Sequence, residues 1–176
     1  MSIPMKRKVL SIFILSATLI LPSQASSFAA STANPYGAAA IDPPAASEVI
    51  LTISRKGKVK NYRFADLLKI KSSTITIHEP FVKKDQSFLA IPLTTIFATV
   101  GISGSEKVET KALNDYIYAN TAKSFTDAKG YLAIKRNGEP IPYDQGGPIR
   151  IIFPNSSKWS TFLDPWNWSL MSISAK

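Results

Sequence analysis

No cysteine occurs among the 176 residues, and His78 is the only histidine. The first absence excludes disulfide staples, a thiolate metal site and a cysteine nucleophile. The second excludes a metal centre built from several imidazoles, and any Ser-His-Asp triad that does not pass through His78. Acidic residues are also scarce, with 12 Asp and Glu against 21 Lys and Arg, a formal net charge of +9. No internal repeat is visible. The apolar run Val9–Leu21 is 13 residues long, short of the roughly 20 that a helix needs to cross a bilayer.

That run has the setting of an export signal. Lys6, Arg7 and Lys8 precede it, Pro22 ends it, and Ser23-Gln24-Ala25 supplies small residues where a signal peptidase reads. The expectation is a leader over residues 1–25, cut near Ala25, and a soluble product in the periplasm or outside the cell. No cysteine follows the site to carry a lipid, and no stable membrane anchor is expected after cleavage. Losing Lys6, Arg7 and Lys8, and no acid, lowers the net charge from +9 to +6.

Residues 26–47 are rich in Ala, Ser and Pro with little charge and no apolar periodicity, and they read as a flexible tether. The globular domain is expected over 48–176, long enough for one core. Its densest basic cluster is Arg55, Lys56, Lys58, Lys60 and Arg63. Such a cluster suits an anionic surface, but alternation with Val59 and Tyr62 around Gly57 favours a solvated hairpin. No nucleic-acid partner is expected for an exported chain.

The periodicities predict a β-rich α+β domain with short helices between strands. Residues 49–53 and 59–64 form a hairpin, and residues 65–69 a short helix with Leu67 and Leu68 inward. Residues 73–78 alternate as a half-buried strand. Pro92 opens a helix whose Leu93, Ile96, Phe97 and Val100 form one buried stripe, stopped by Gly101. Strands follow at 107–113 and 115–119, then a helix near 121–128. Residues 131–135 and 140–143 flank Asn137-Gly138, a two-residue hairpin turn. Residues 148–153 form a buried strand, and 168–173 the last one.

Four segments carry a resemblance to a known family. Ser87-Phe88-Leu89-Ala90-Ile91-Pro92-Leu93 is similar to an F-x-G-[VI]-P-L helix start. Ala112-Leu113-Asn114-Asp115-Tyr116 is similar to an A-x-D/N-x-Y strand. Asn137-Gly138-Glu139-Pro140-Ile141-Pro142 with Gly146-Gly147-Pro148-Ile149-Arg150-Ile151-Ile152-Phe153-Pro154 is the most specific block, and Trp168–Ile173 is similar to a closing Trp-containing strand. In this order they resemble the oxidoreductase molybdopterin-binding domain family, whose fold is of the sulfite-oxidase type. The resemblance spans about 48–173 and implies that fold. It also implies a molybdopterin-type cofactor held by a cysteine ahead of the Phe88–Leu93 segment. Here that stretch is Thr76-Ile77-His78-Glu79-Pro80-Phe81 and the thiolate is missing. Imidazole or carboxylate does not replace a soft thiolate without changing the metal's electronics. The residues themselves predict no cofactor.

Candidate site residues follow. His78 falls where the resemblance places the metal-binding cysteine, and is either a ligand contact or a strand-end histidine bonded to the backbone. Arg150, set among apolar residues, needs a partner. It either forks a ligand's phosphate or carboxylate, or pairs with Asp115, Asp144 or another internal carboxylate, and the pairing is favoured. The resemblance places Asp115 and Tyr116 along the cofactor cleft; a turn aspartate and a core-edge tyrosine are the alternatives. Asp144, Gly146 and Gly147 form a loop that admits close backbone approach to a ligand, or a tight turn. Of Trp159, Trp166 and Trp168, Trp168 is expected in the core and Trp166 at the surface.

Three functions fit. The first is a noncatalytic relative that binds a small anionic ligand or a periplasmic protein partner. The second is a periplasmic oxidoreductase that holds its cofactor without a cysteine. The third is a structural exported domain. The absent thiolate favours the first.

Overall fold

A computed structural model describes residues 44–176. The expected leader and residues 26–43 of the expected tether lie outside the described residues.

Two sheets carry the domain. The first contains β1 (Leu51–Arg55), β2 (Lys58–Tyr62), β5 (Lys107–Ala112), β6 (Ile117–Thr121) and β10 (Leu170–Ala175), in the order β2-β1-β10-β5-β6. The second contains β3 (Ser73–Glu79), β4 (Lys84–Pro92), β7 (Tyr131–Arg136) and β8 (Glu139–Pro140), in that order, with β9 (Arg150–Ile152) also pairing β7. The helices are short: α1 (Phe64–Leu67), α2 (Leu93–Ala98) and α3 (Ala122–Asp127). None of the described helices is long and apolar enough to cross a membrane. The β-rich α+β class expected from the sequence is the class observed.

Local chemistry accounts for many of these elements. Lys56 and Gly57 both take positive φ at the β1–β2 turn, as do Asn137 and Gly138 between β7 and β8, the geometry that suits a two-residue hairpin. The α2 stripe packs as expected, with Leu93, Ile96, Phe97 and Val100 all buried. The helix ends where Gly101 takes φ +79° and donates its N–H to the Phe97 carbonyl. Pro92, expected as the first helical residue, is instead the last of β4 and caps α2 from outside.

One buried cluster joins the sheets. Leu51, Ile53, Val108 and Ile173 of the first sheet share it with Ile77, Phe88, Ile91 and Leu132 of the second. Trp159 meets Tyr118, Phe125 and Phe153 edge to face at 5.3–5.9 Å between ring centroids, the arrangement the ring quadrupoles favour. Beyond the hairpin, Arg55 Nε sits 2.8 and 2.9 Å from the two Glu106 carboxylate oxygens. That bond, helped by the Ser103 N–H, lowers the Glu106 pKa to about 2, so β1 stays tied to the start of β5 in all but strong acid.

Three local expectations need correction. Leu68 is exposed, because α1 ends after one turn and only Leu67 reaches the core. Trp166 is buried and donates its indole N–H to the Trp159 carbonyl at 2.8 Å, whereas Trp168 is the half-exposed one. The β5–β6 turn is wider than expected, so β6 begins at Ile117 rather than Asp115. The nine-residue β4 is an addition: Phe88 and Ala90 are buried with Leu89 half-buried between them, and an irregularity in the β4–β7 register at Leu89/Ala90 brings Ile91 into the core as well.

Candidate functional site: an aromatic cleft over a buried ion pair

Three chain segments from both sheets meet around a cleft of about 230 Å³. The β3–β4 turn supplies Phe81. The end of β5 and the turn to β6 supply Ala112, Asn114 and Tyr116. The loop before β10 supplies Leu163, Asp164, Trp166 and Trp168. Phe81 packs on Trp168 with ring centroids 4.0 Å apart, and reaches Trp166 at 6.5 Å. The Tyr116 hydroxyl donates to the Asp164 carbonyl at 3.0 Å, which ties the β5–β6 turn to the long loop. Burial, then the Asp164 charge, pushes the Tyr116 phenol above its ordinary value of 10.0, so the hydroxyl keeps its proton and its bond.

Behind Trp168 lies Arg150, the first residue of β9. Its guanidinium carbon is 4.3 Å from the Trp168 ring centroid and 5.9 Å from that of Phe88. Its Nη2 is 2.9 Å from Glu79 Oε1, and both side chains are 0% exposed. The second Glu79 oxygen accepts the Val82 N–H at 2.8 Å, and the Lys83 N–H bonds the Glu79 carbonyl at 2.8 Å. One carboxylate therefore answers the buried arginine and shapes the turn that presents Phe81. The internal carboxylate that meets Arg150 is Glu79, while Asp115, one partner the sequence suggested, pairs with Lys111.

The other predicted residues do not gather here, Tyr116 excepted. His78 is exposed, opposite Asp85 in the β3–β4 ladder, with Nδ1 2.9 Å from the Asp85 carboxylate; its backbone N–H goes to Asn155 at 2.8 Å. Asp115 is 83% exposed in the β5–β6 turn at φ +66°. Lys111 reaches it at 2.7 Å and holds its carboxyl below the ordinary 3.8. Asp144 is half-buried in the helical turn Tyr143–Gln145. Gly147 is buried, and the space where a Cβ would stand is already filled by the chain's own backbone, 1.9 Å from the Ile141 carbonyl oxygen. Gly146 takes φ +82° and brings its backbone against the Trp168 ring. The loop's glycines serve packing around Trp168 and residues 141–142.

Sequence reasoning missed Glu79, although a signal for it was present. The strand alternation that turns Ile75 and Ile77 toward the core turns Glu79 the same way and His78 outward. A carboxylate at an inward position of a buried strand requires a cation.

The arrangement offers ring faces and apolar edges. Among the described residues no group of three or more His, Asp or Glu could hold a metal ion. Six of the nine exposed large apolar side chains among the described residues belong to the three segments that build the cleft. Phe81, Tyr116 and Leu163 line it, and Leu113, Ile117 and Phe162, next to them in the chain, are exposed as well.

Comparison with known proteins fits this architecture. The sequence model of the family described as oxidoreductase molybdopterin-binding domain matches residues 51–162, more than half of the chain. No curated protein matches the chain. Among solved structures, the sulfane dehydrogenase SoxCD from Paracoccus pantotrophus is similar at a TM-score of 0.58 and 16% identity, over 77% of this chain. The match covers 40% of the SoxCD chain, and at that identity it speaks for the fold alone. With the match over 51–162, the chain belongs to the oxidoreductase molybdopterin-binding domain family.

Proposed function

We propose that this is an exported, noncatalytic member of the family whose aromatic cleft docks a periplasmic or extracellular protein partner. The observation that carries the reading is that exposed Phe81, Tyr116 and Leu163 line the cleft, with Leu113, Ile117 and Phe162 exposed nearby in the same chain segments. Apolar side chains gathered at one place on a soluble domain, with buried tryptophan beneath, have the make-up of a protein contact rather than of an ion site. The leader-like Lys6–Ala25 segment supports export.

The family's cofactor does not fit the residues present. The whole chain lacks the thiolate, and Arg150, beneath the cleft's Trp168, is held by Glu79. At about 230 Å³ the cleft is smaller than the roughly 300 Å³ at which small-molecule sites begin, and a pterin with its phosphate is both bulky and anionic. The same ion pair counts against a small anionic ligand: Arg150 is fully buried beneath Trp168, and its charge is already met by Glu79.

The partner reading is tested with a photo-crosslinking amino acid placed at Leu163 and, as a control, at Val59 on the distant β1–β2 hairpin, both in the native host. The expected result is one discrete protein adduct from position 163, absent from position 59 and lost when Tyr116→Asp is added. An adduct common to both positions, or none from position 163, contradicts the reading.

A further inference from the structure

A second, larger cavity of about 560 Å³ is walled by Phe64 and Ala65 of α1, Pro140, Ile141, Pro142 and Pro148 ahead of β9, and the Pro44–Ala46 segment that leads into β1. None of these described lining residues carries a charged or hydroxyl side chain. Four are prolines, which have no N–H to offer. The Pro142 carbonyl already accepts the N–H groups of Gln145 and Gly147. The Ala45 N–H is taken by the Glu48 carboxylate at 3.1 Å. An ion or a sugar would find few partners on such walls, since polar groups moved out of water need hydrogen bonds.

The walls are also preformed. Proline fixes φ in the 140–148 segment. On the Pro44–Ala46 side the Ala45 carbonyl accepts the Glu48 N–H at 2.9 Å, and the residues that follow are anchored by the Tyr143 hydroxyl to Glu48 at 3.1 Å and by Arg63 Nε to the Ser47 carbonyl at 2.9 Å. Burial, then the Glu48 bond, pushes the Tyr143 phenol up to about 12, so that hydroxyl remains a donor through the neutral range. A rigid apolar cavity of this size lies within the roughly 300–1,000 Å³ of small-molecule sites, and preformed walls reduce the ordering cost of binding.

From the volume, the donor-poor walls and their rigidity, we propose that this cavity binds an uncharged molecule built on flat apolar rings, which the proline rings and Phe64 sandwich. The site is separate from the aromatic cleft and does not depend on the partner reading.

The test uses the full chain and the uncharged fused-ring dye N-phenylnaphthylamine, whose fluorescence rises in apolar surroundings. Wild type is expected to bind it saturably. Ala65→Trp and Ala46→Trp, both at exposed alanines of the wall, are expected to weaken binding by about tenfold or more. Tyr116→Asp in the other cleft leaves it unchanged. Circular dichroism checks folding, and Ala46→Trp carries the test should Ala65→Trp fail to fold. No saturable binding by wild type, wild-type affinity in the folded Trp variants, or loss of binding in Tyr116→Asp overturns the proposal.

Discussion

Glu79→Ala is expected to destabilise the domain by about 3–5 kcal/mol, the cost of leaving a buried charge without its counter-ion. Arg150 and Glu79 are both fully buried, 2.9 Å apart. Removing the carboxylate takes its buried ion-pair partner from the guanidinium and the acceptor from the Val82 N–H. A domain of this size has roughly 5–15 kcal/mol to lose, so the melting point should fall on the order of 10 °C or more. The companion result makes the explanation specific. Replacing both partners, Glu79→Met with Arg150→Met, removes the pair without orphaning either charge. Such replacements are often neutral or stabilising by about 1–4 kcal/mol, so the double variant should be far more stable than Glu79→Ala. Urea unfolding of the three proteins measures this. A Glu79→Ala variant as stable as wild type would mean that Arg150 has a second, sufficient counter-charge, and the description of the ion pair would fail.

Gly147→Ala is expected to cost about 3 kcal/mol or more, above the usual range for one added methyl in a packed site. Its Cβ would stand 1.9 Å from the Ile141 oxygen, 2.5 Å from the Ile141 carbonyl carbon and 2.7 Å from the Pro142 oxygen. All three are backbone atoms, which no rotamer change relieves. The adjacent β9 carries Arg150, so strain here spreads to the ion pair. Gly138→Ala is the matched control. Gly138 has φ +88° with open space around it, and its substitution costs only the left-handed strain, about 1 kcal/mol. Equal stabilities of the two variants by thermal unfolding would contradict the close approach at Gly147. A large loss confined to Gly147→Ala separates a packing glycine from the ligand-cradling glycine that its motif suggests.

Features encoded over a few neighbouring residues were legible in the sequence. Asn137-Gly138 announces its turn because both residues tolerate positive φ, and the Leu93–Val100 stripe announces one buried helical face. The block from Gly146 to Pro154 carried the family resemblance. What could not be read depended on where elements stop and how they pack. β4 is invisible to alternation because an irregularity in its pairing with β7 at Leu89/Ala90 sends both Ala90 and Ile91 into the core. Leu68 loses its place inside because α1 stops after one turn. Trp166 and Trp168 exchange their expected roles because the Trp159 carbonyl captures one indole while Arg150 and Phe81 hold the other near the cleft. The candidate site was half legible. Tyr116 lines the cleft and Arg150 lies beneath it. His78 and Asp115 were chosen by position in a motif, and strand parity and turn geometry set them elsewhere.

The fold is thus kept while the cysteine that the resemblance implies is absent, and Arg150 is paired with Glu79 inside the core. The most direct measurement of this separation is molybdenum content. Protein purified from its native compartment, freed of loosely bound metal by gel filtration, is analysed by elemental mass spectrometry against protein concentration. The prediction is molybdenum far below one atom per chain and no pterin released on denaturation. Near-stoichiometric molybdenum that remains with the folded protein would contradict the account and restore the oxidoreductase reading.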